Sequence, residues 1–274
     1  MLNDKVGDVP SSDVAGRVIE SAGVALVTGG RRGIGRAICR AMAAQGFDIA
    51  LLDIVEDDLA YETLDLVSSS GRKAWFGKHD IANISTHQSM IHKVQAELGA
   101  VTCLVNNAGI QVAQRGDLLD CDEADFDRLI GINLRGTFFL TQAVASQMLS
   151  VETQRDRSII TLTSANAHLV SPEKGPYCIS KAGLSMAMQQ FAVRLAPHGI
   201  RVHEVRPGLI RTDMTADVFD RYDPDVRSGK LGLMRRWGEP EDIGVGVAAL
   251  AAGAIPFSTG DIFNIGGGLQ IPQL

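Results

Sequence analysis

The sequence predicts an α/β fold built on one doubly wound, seven-stranded parallel sheet with helices on both faces. Short apolar runs alternate with longer helical patterns between residues 24 and 268. Consecutive residues of these runs are apolar, as expected for strands that are buried on both faces of a sheet. No repeat, linker or shift in composition divides the chain. Alternation of strands and helices gives right-handed crossovers and a parallel sheet. With 274 residues, of which 45% are hydrophobic, the chain is large enough to bury one substantial core.

The elements follow one another in regular order along the chain. Strands are predicted at 24–29, 48–53, 73–80, 101–109, 158–164, 200–208 and 261–268. Helices are predicted at 33–45, 56–69, 85–98, 123–149, 176–196 and 240–252. A polar segment at 211–238 interrupts this alternation. We expect one domain over residues 21–274, preceded by a flexible leader at 1–20.

Charge and composition argue against several classes of protein. The net charge of -6 argues against a nucleic-acid partner, which requires a basic face, and against an anionic membrane surface. No apolar run approaches the roughly 18 residues of a membrane-spanning helix, and the first residues do not resemble a signal peptide. The cysteines form no CxxC pair: Cys39, Cys103, Cys121 and Cys178. Buried or incidental thiols in a reducing cytoplasm are therefore expected, with no metal site.

A glycine-rich turn, "TGGRRGIG", joins the first predicted strand to the first helix. Its G-x3-G-x-G spacing differs from GxGxxG, but glycine still permits a tight turn and close backbone approach. The N–H groups at the start of the helix would face a pyrophosphate. The alternative is a tight turn without a ligand. The candidate cofactor-binding residues here are Thr28, Gly29, Arg31, Arg32, Gly33, Ile34 and Gly35.

Polar residues follow the next three predicted strands. Asp53 ends the second strand, where a carboxylate accepts hydrogen bonds from an adenosine ribose; otherwise it caps the following helix. Asp80, followed by Ile81, ends the third strand and is expected to meet the adenine amine. The fourth strand ends in a turn that contains Asn107, Ala108 and Gly109. The carboxyl ends of parallel strands share one edge of the sheet, so these residues indicate a dinucleotide site.

The segment "YCISK" places Tyr177 and Lys181 at i and i+4, on one helical face. A phenol with a pKa near 10 is a poor base, and a neighbouring ammonium group would stabilise its phenolate. This spacing alone is more typical of an ordinary helix surface, but Ser164 closes the preceding strand and offers a hydroxyl to a carbonyl oxygen. Asn133 is a poor helix former within an apolar stretch of the long helix. We expect its side chain to hold a water or a distorted helix turn near the lysine.

Together these motifs resemble the short-chain dehydrogenase/reductase family from Val24 to Gly268. The matching stretches also include "HD" at 79–80 and "RPGLIRTDM" at 206–214. The resemblance implies a single-domain Rossmann fold and a nicotinamide cofactor. It further implies that tyrosine transfers the proton, serine positions the carbonyl, lysine binds the nicotinamide ribose and lowers the tyrosine pKa, and asparagine supports a relay water. Carried onto this chain, the catalytic residues are Asn133, Ser164, Tyr177 and Lys181, and the added cofactor contacts are Pro207, Gly208, Ile210 and Thr212.

The substrate end is defined less sharply. Ala165, His168 and Met214 are the expected pocket residues, whereas His203 is expected to be structural. In the family, the segment corresponding to 211–238 closes over the substrate as a lid. Its basic residues suit a polar or anionic substrate, or simply a solvated lid: Arg211, Arg221, Arg235 and Arg236.

The leading function is an NAD(P)-dependent oxidoreductase that moves a hydride between nicotinamide and a carbonyl or secondary alcohol. Within the family the chain looks most like bacterial 3-oxoacyl-[acyl-carrier-protein] reductases that use NADPH, but Glu152 stands where a basic residue would help an acidic carrier to dock. A non-catalytic dinucleotide sensor is a further alternative, which the complete tetrad disfavours. A dehydratase or epimerase is a third. The family also implies a homotetramer.

NAD is favoured over NADP because of Asp53. A 2'-phosphate beside this carboxylate meets repulsion of about 4 kcal/mol per unit charge at about 4 Å, for an effective dielectric near 20. Arg32 could offset a similar amount, or it could pair with Asp53 or cover the adenine. NADP therefore stays possible.

Overall fold

A computed structural model describes residues 21–272; the predicted leader at 1–20 lies outside the described residues. The strands form one parallel sheet in the order β3-β2-β1-β4-β5-β6-β7. The predicted fold class is confirmed. The strands are β1 (Gly23–Thr28), β2 (Phe47–Asp53), β3 (Ala74–Lys78), β4 (Val101–Asn106), β5 (Arg157–Leu162), β6 (Ile200–Pro207) and β7 (Ile262–Ile265).

Helices cover both faces of this sheet. The long helix predicted at 123–149 is divided by a π-helical segment, Ile130–Gly136, that lies between α4 and α5. Part of the polar segment folds into a 3-10 helix, Asp213–Val218, and α7. The α-helices are α1 (Gly33–Ala44), α2 (Asp58–Ser68), α3 (His87–Leu98), α4 (Glu123–Leu129), α5 (Thr137–Ser150), α6 (Gly175–Leu195), α7 (Phe219–Ser228) and α8 (Pro240–Ala251).

Successive side chains of the central strands enter different halves of the core. Leu26 of β1 packs in the cluster that includes Leu140 of α5 and Leu184 of α6. Val27, the next residue, packs in the cluster that includes Ile38 of α1 and Val247 of α8. Burial on both faces explains why the strands read as continuous apolar runs.

The chain changes direction across the sheet at β1, which pairs with β2 on one side and β4 on the other. Helices after β1 and β4 therefore depart to opposite faces and leave a crevice at the carboxyl ends of these strands. Thr28 and Asn107 end β1 and follow β4 at this point.

The cysteines are all free thiols within the described part of the chain. Burial raises the pKa of Cys39 and of Cys103 to about 12, which makes both inert at neutral pH. Over residues 21–272, no helix is long and apolar enough to cross a membrane, and no group of His, Cys, Asp or Glu has the arrangement of a metal site.

Candidate active site

A cavity of about 540 Å³ opens at the carboxyl edge of the sheet, in the size range of small-molecule sites. Every cofactor-binding residue expected from the sequence lines it, from Thr28 of the glycine turn to Thr212 at the start of the lid. Ser164, Tyr177, Lys181 and Met214 line it as well. Residues distant in sequence therefore meet around one space.

The glycine turn requires its glycines. Gly29 and Gly33 have φ of +64° and +55°, in the left-handed region that favours glycine. A Cβ on Gly35 would lie 1.9 Å from the carbonyl oxygen of Gly29, whereas a Cβ on Gly33 would meet only Thr212, at 3.7 Å. The turn thus presents bare backbone and the start of α1 to the cavity, which fits the pyrophosphate of a dinucleotide.

Thr28 and Asn107 fix this turn against β4. The Thr28 Oγ1 accepts hydrogen bonds from the backbone N–H groups of Asn107, at 3.1 Å, and Ala108, at 3.0 Å. The Asn107 amide donates to the carbonyl oxygens of Thr28 and Gly29, at 3.0 and 2.9 Å. Their polar side-chain atoms are engaged with the backbone, so the two residues shape the site through the loops they join.

Asp53 lines the cavity beside Arg31, whose Nε lies 3.8 Å from Asp53 Oδ1. The same arginine also pairs with Asp57. The pairing with Asp53 considered for Arg32 is therefore made by Arg31, and Arg32 instead reaches Asp213 in the lid segment. Asp57 caps α2, accepting from the Ala60 N–H, so the capping role considered for Asp53 is also corrected.

Asn133 is fully buried in the π-helical segment, as the expected distortion of the long helix requires. Its Oδ1 accepts from the Ile110 N–H at 2.8 Å, and its Nδ2 donates to the Ile110 carbonyl at 2.9 Å and to Ser180 Oγ at 3.2 Å. The Ser180 hydroxyl in turn donates to the Tyr177 carbonyl at 2.8 Å. Asn133 does not line the cavity; it braces the loop after β4 against the helix that carries Tyr177 and Lys181.

Tyr177 and Lys181 are buried on one face of α6. The Lys181 Nζ donates to the Leu162 carbonyl at 3.1 Å and lies 5.7 Å from the centroid of the Tyr177 ring. Burial lowers the pKa of Lys181 to about 8, against the opposing charge of Glu204.

The expected lowering of the Tyr177 pKa is not met in the protein alone. Burial raises the pKa of this phenol, and the hydrogen bond with Ser164 opposes the rise without cancelling it. Desolvation of the phenolate by burial is the larger effect.

Glu204 forms a buried network next to the residues predicted to be catalytic. Its carboxylate accepts from Thr163 Oγ1 at 2.5 Å, from Ser185 Oγ at 2.6 Å and from Arg206 Nε at 2.6 Å. Thr163 precedes Ser164, and Ser185 lies one turn after Lys181 on α6. The network therefore connects β5, β6 and α6 next to Ser164 and Lys181.

His203 contributes to the core rather than the cavity, as expected. It is 1% exposed, and its ring meets Phe263 edge-on at 5.6 Å between centroids. Neither ring nitrogen has a hydrogen-bond partner within the described residues. Burial, with the charge of Arg201, lowers the pKa of His203 to about 4, so the ring is neutral at pH 7.

The expectation for two substrate-pocket residues is not met. Ala165 and His168 do not line the cavity, and His168 is exposed, because a 3-10 turn, Ala165–Ala167, carries the chain away after Ser164. Asn166 from this turn lines the cavity instead.

Sequence reasoning also missed Arg115 and Lys174, which supply positive charge at the substrate end of the cavity. A signal for the lysine was present. It stands three positions before Tyr177, next to a proline-led helix start, and so has to lie near the tyrosine.

Ion pairs join the segment predicted to form a lid, residues 211–238, to the rim of the cavity. Arg115 Nε lies 3.0 Å from Asp217 Oδ2 of the lid, and Arg221 NH1 of α7 lies 2.9 Å from Glu173 Oε2. None of the four lid arginines singled out from the sequence lines the cavity. Arg236, for example, pairs with Asp242 at 2.7 Å.

The crevice beside the glycine turn lies where the strand order of the sheet reverses, and a serine, a tyrosine and a lysine line it. Fold and site together therefore define a dinucleotide-dependent oxidoreductase. A family model described as enoyl-(acyl carrier protein) reductase matches residues 29–270. A short-chain dehydrogenase/reductase of Armillaria gallica is 32% identical, over 93% of this chain and 99% of that protein. The chain belongs to the short-chain dehydrogenase/reductase family and is an NAD(P)-dependent oxidoreductase that acts on CH–OH groups or carbonyls.

Two further relatives are described as acyl-carrier reductases. The 3-oxoacyl-[acyl-carrier-protein] reductase of Staphylococcus epidermidis is 34% identical, over 90% of this chain and 98% of its own. The crystal structure of a 3-oxoacyl-[acyl-carrier protein] reductase from Brucella melitensis in complex with NAD has a TM-score of 0.88 and 48% identity. That match covers 92% of this chain and 98% of the other.

Proposed function

We propose that this enzyme is an NAD-preferring dehydrogenase of a secondary alcohol, with Tyr177 as general base for oxidation and general acid for the reverse reaction. The grouping of Tyr177, Lys181 and Ser164 on one wall of the cavity carries this proposal. A non-catalytic sensor has no use for a phenol and an ammonium group buried together.

The residues fit a dinucleotide along the whole cavity. The glycine turn would hold the pyrophosphate, Asp53 the adenosine ribose and Lys181 the nicotinamide ribose. When bound, the nicotinamide accepts or supplies the hydride, and its oxidised ring carries a positive charge.

The chain's own residues then handle the proton and the substrate oxygen. Ser164 donates a hydrogen bond to that oxygen, and Tyr177 takes the alcohol proton as the carbonyl forms, or returns it in the reverse direction. Lys181 holds positive charge beside the phenol and favours its ionised form. Asn133 positions this wall by bracing the loop after β4, and a relay water near it remains a prediction.

The function is tested by Tyr177→Phe, because phenylalanine keeps the ring but has no proton to transfer. We expect turnover of NADH or NAD with a panel of carbonyls and alcohols to fall by at least about a hundredfold, in line with the loss of a general acid-base. Cofactor binding, measured by calorimetry, is expected to persist. Tyr61→Phe is the matched control, since Tyr61 is exposed on α2 and its hydroxyl donates to Glu56, away from the cavity.

Near wild-type activity in Tyr177→Phe would overturn the proposed mechanism. Cofactor binding without any turnover in the wild type would favour the sensor.

The preference for NAD is supported by the charges at the adenosine end. Arg31 faces two carboxylates, Asp53 and Asp57, so this pocket keeps a net negative charge. Arg32 is engaged by Asp213. A ribose hydroxyl pair suits such a site better than a 2'-phosphate does, and the Brucella melitensis relative was crystallised with NAD.

Reduction of a 3-oxoacyl group on a carrier protein with NADPH is the second candidate, favoured by the names of the relatives. Glu152 is exposed and would repel an acidic carrier. We therefore rank this reaction below oxidation of a small free substrate.

We further propose a homotetramer with α6 at an interface. Ile179, Met186 and Val193 recur at intervals of two helical turns on the outer face of α6 and are 50%, 55% and 78% exposed. A stripe of this kind is typical of a surface covered by another copy.

Light scattering at micromolar concentration is expected to give the mass of four chains for the wild type. Val193→Glu is expected to give a smaller mass. Leu66→Glu, at an exposed residue of α2, is the control, since α2 packs in the other half of the core. A stable wild-type monomer would contradict the proposal.

A further inference from the structure

Lys174 places an ammonium group beside the catalytic tyrosine. Its Nζ lies 5.6 Å from the centroid of the Tyr177 ring and donates to Asn166 Oδ1 at 2.8 Å. All three residues line the cavity. Lys181 already supplies the ammonium group that the proposed mechanism uses, so that mechanism assigns no role to Lys174.

No carboxylate neutralises this ammonium group. Within residues 21–272, no carboxylate oxygen lies within 4.0 Å of Lys174 Nζ in an ion pair. The two nearest acidic side chains are engaged elsewhere: Asp217 by both Arg115 nitrogens, at 3.0 and 3.4 Å, and Glu173 by both Arg221 nitrogens, at 2.9 and 3.0 Å.

The charges around Lys174 therefore do not balance. Three cations, namely Lys174, Arg115 and Arg221, face two carboxylates, which leaves one positive charge in excess. Burial and the charge of Arg115 lower the pKa of Lys174, and Asp217 and Glu173 oppose that change.

The backbone adds to the imbalance. Lys174 is the N-cap residue of α6, whose first N–H groups point toward the same end of the helix. A helix N-terminus favours anions and disfavours cations. The ammonium group of Lys174 and the N-terminus of α6 therefore both favour a nearby anion. Asn166 is a neutral amide and does not supply a negative charge.

We propose that the substrate of this enzyme is a short hydroxy acid or oxo acid whose carboxylate binds Lys174 while its reacting oxygen meets Ser164 and Tyr177. This deepens the proposed oxidoreductase function and rests on it. A carboxylate matches the single excess charge, whereas a phosphate monoester carries nearly two negative charges. The short distance from Nζ to the tyrosine ring places the carboxylate only a few bonds from the reacting carbon.

The test measures kcat/KM with NAD for two matched pairs of probes. The first pair is 3-hydroxybutyrate and its methyl ester, which differ in the carboxylate. The second pair is glycerol 3-phosphate and glycerol, which differ in the phosphate. The wild type is expected to prefer the acid to the ester by about 10- to 100-fold in kcat/KM, the range of one charge-assisted hydrogen bond. Lys174→Met is expected to lose that preference, because kcat/KM falls more for the acid than for the ester. Lys174→Arg is expected to retain most of it. Lys93→Met, at an exposed position on α3, is the matched control.

A preference for the ester, or an equal loss on both probes in Lys174→Met, would overturn the carboxylate site and leave the oxidoreductase standing. A preference confined to glycerol 3-phosphate would also overturn it. Where none of the probes turns over, calorimetric titration of the enzyme–NADH complex with butyrate, a monocarboxylate, decides. Binding that Lys174→Met abolishes and Lys174→Arg keeps supports the site; absent binding, or binding unchanged in Lys174→Met, refutes it.

Discussion

Arg31 is shared between Asp53 and Asp57, and this sharing sets the net charge at the predicted adenosine end of the cavity. Neither carboxylate is neutralised fully by one guanidinium group 3.8 Å from Asp53. The sequence predicted a contest between arginine and aspartate at this point but could not decide which arginine takes part. Adjacent residues of a turn point in different directions, and only the folded turn reveals that Arg31 faces β2 while Arg32 faces the lid.

Replacing Asp53 with serine is expected to shift the cofactor preference toward NADPH. The substitution removes the repulsion on a 2'-phosphate and leaves Arg31 with one carboxylate rather than two. The ratio of kcat/KM for NADPH to that for NADH is expected to rise by about 10- to 100-fold. Steady-state kinetics with both cofactors measures it. Asp58→Ser removes a negative charge from the start of α2 at an exposed residue that does not line the cavity, so its ratio is expected to stay unchanged. A wild-type preference for NADPH would contradict the assignment of NAD.

Among the elements, the lid and the π-helical segment shape the site most. The π-helical segment was predictable as a distortion, because an asparagine among apolar residues is a poor choice for a regular helix. The lid contacts were not predictable. They join Arg115 to Asp217 and Glu173 to Arg221, pairs that are far apart in sequence and carry no periodic signal.

Loosening the lid is expected to weaken substrate binding in a salt-dependent way. Arg221→Gln breaks the pair with Glu173, which lies 2.9 Å away across the rim. We expect the substrate KM to rise about two- to fivefold at low salt, because exposed pairs contribute only about 0.2–1 kcal/mol. Added salt is expected to bring the wild type toward the variant.

Arg227→Gln is the matched control for this experiment. Arg227 lies on the same helix but pairs with Asp223 within α7, and so does not fasten the lid to the rim. An equal rise in KM in both variants would argue against the role of the rim contact.

For the whole molecule, the order of elements was predictable because apolar runs and helical patterns differ in period and length. The substrate end was not, since Arg115, Asn166, Lys174 and Tyr222 come from separate loops and helices. At this scale the buried histidines matter most. Burial lowers the pKa of His79 and of His203 to about 4, so both are neutral in the folded protein at pH 7.

Acid is therefore expected to destabilise the fold. Between pH 6.5, near the ordinary histidine pKa, and pH 4, near the pKa in the folded protein, the unfolded chain binds more protons than the folded protein does. The contribution of each buried neutral histidine to the free energy of unfolding is therefore fully present above pH 6.5 and is lost as the pH falls toward 4. Each histidine is expected to account for a loss on the order of 1–3 kcal/mol. Urea unfolding across this range measures the loss.

His203→Leu is expected to flatten the acid dependence, because leucine suits an apolar site in which neither ring nitrogen is bonded. His168→Leu, at an exposed position, is expected to leave it unchanged. An unaltered pH dependence in His203→Leu would show that this buried ring does not contribute.

The ion pair between Arg32 and Asp213 connects the glycine turn with the predicted lid. Arg32 lies in the glycine turn and Asp213 at the start of the predicted lid, so one ion pair joins the predicted pyrophosphate site to the predicted lid. Any occupant that moves this arginine also changes the free energy of the lid. By thermodynamic reciprocity, the factor by which cofactor alters substrate affinity equals the factor by which substrate alters cofactor affinity. Because exposed ion pairs contribute only about 0.2–1 kcal/mol, this contact limits such a factor to about fivefold.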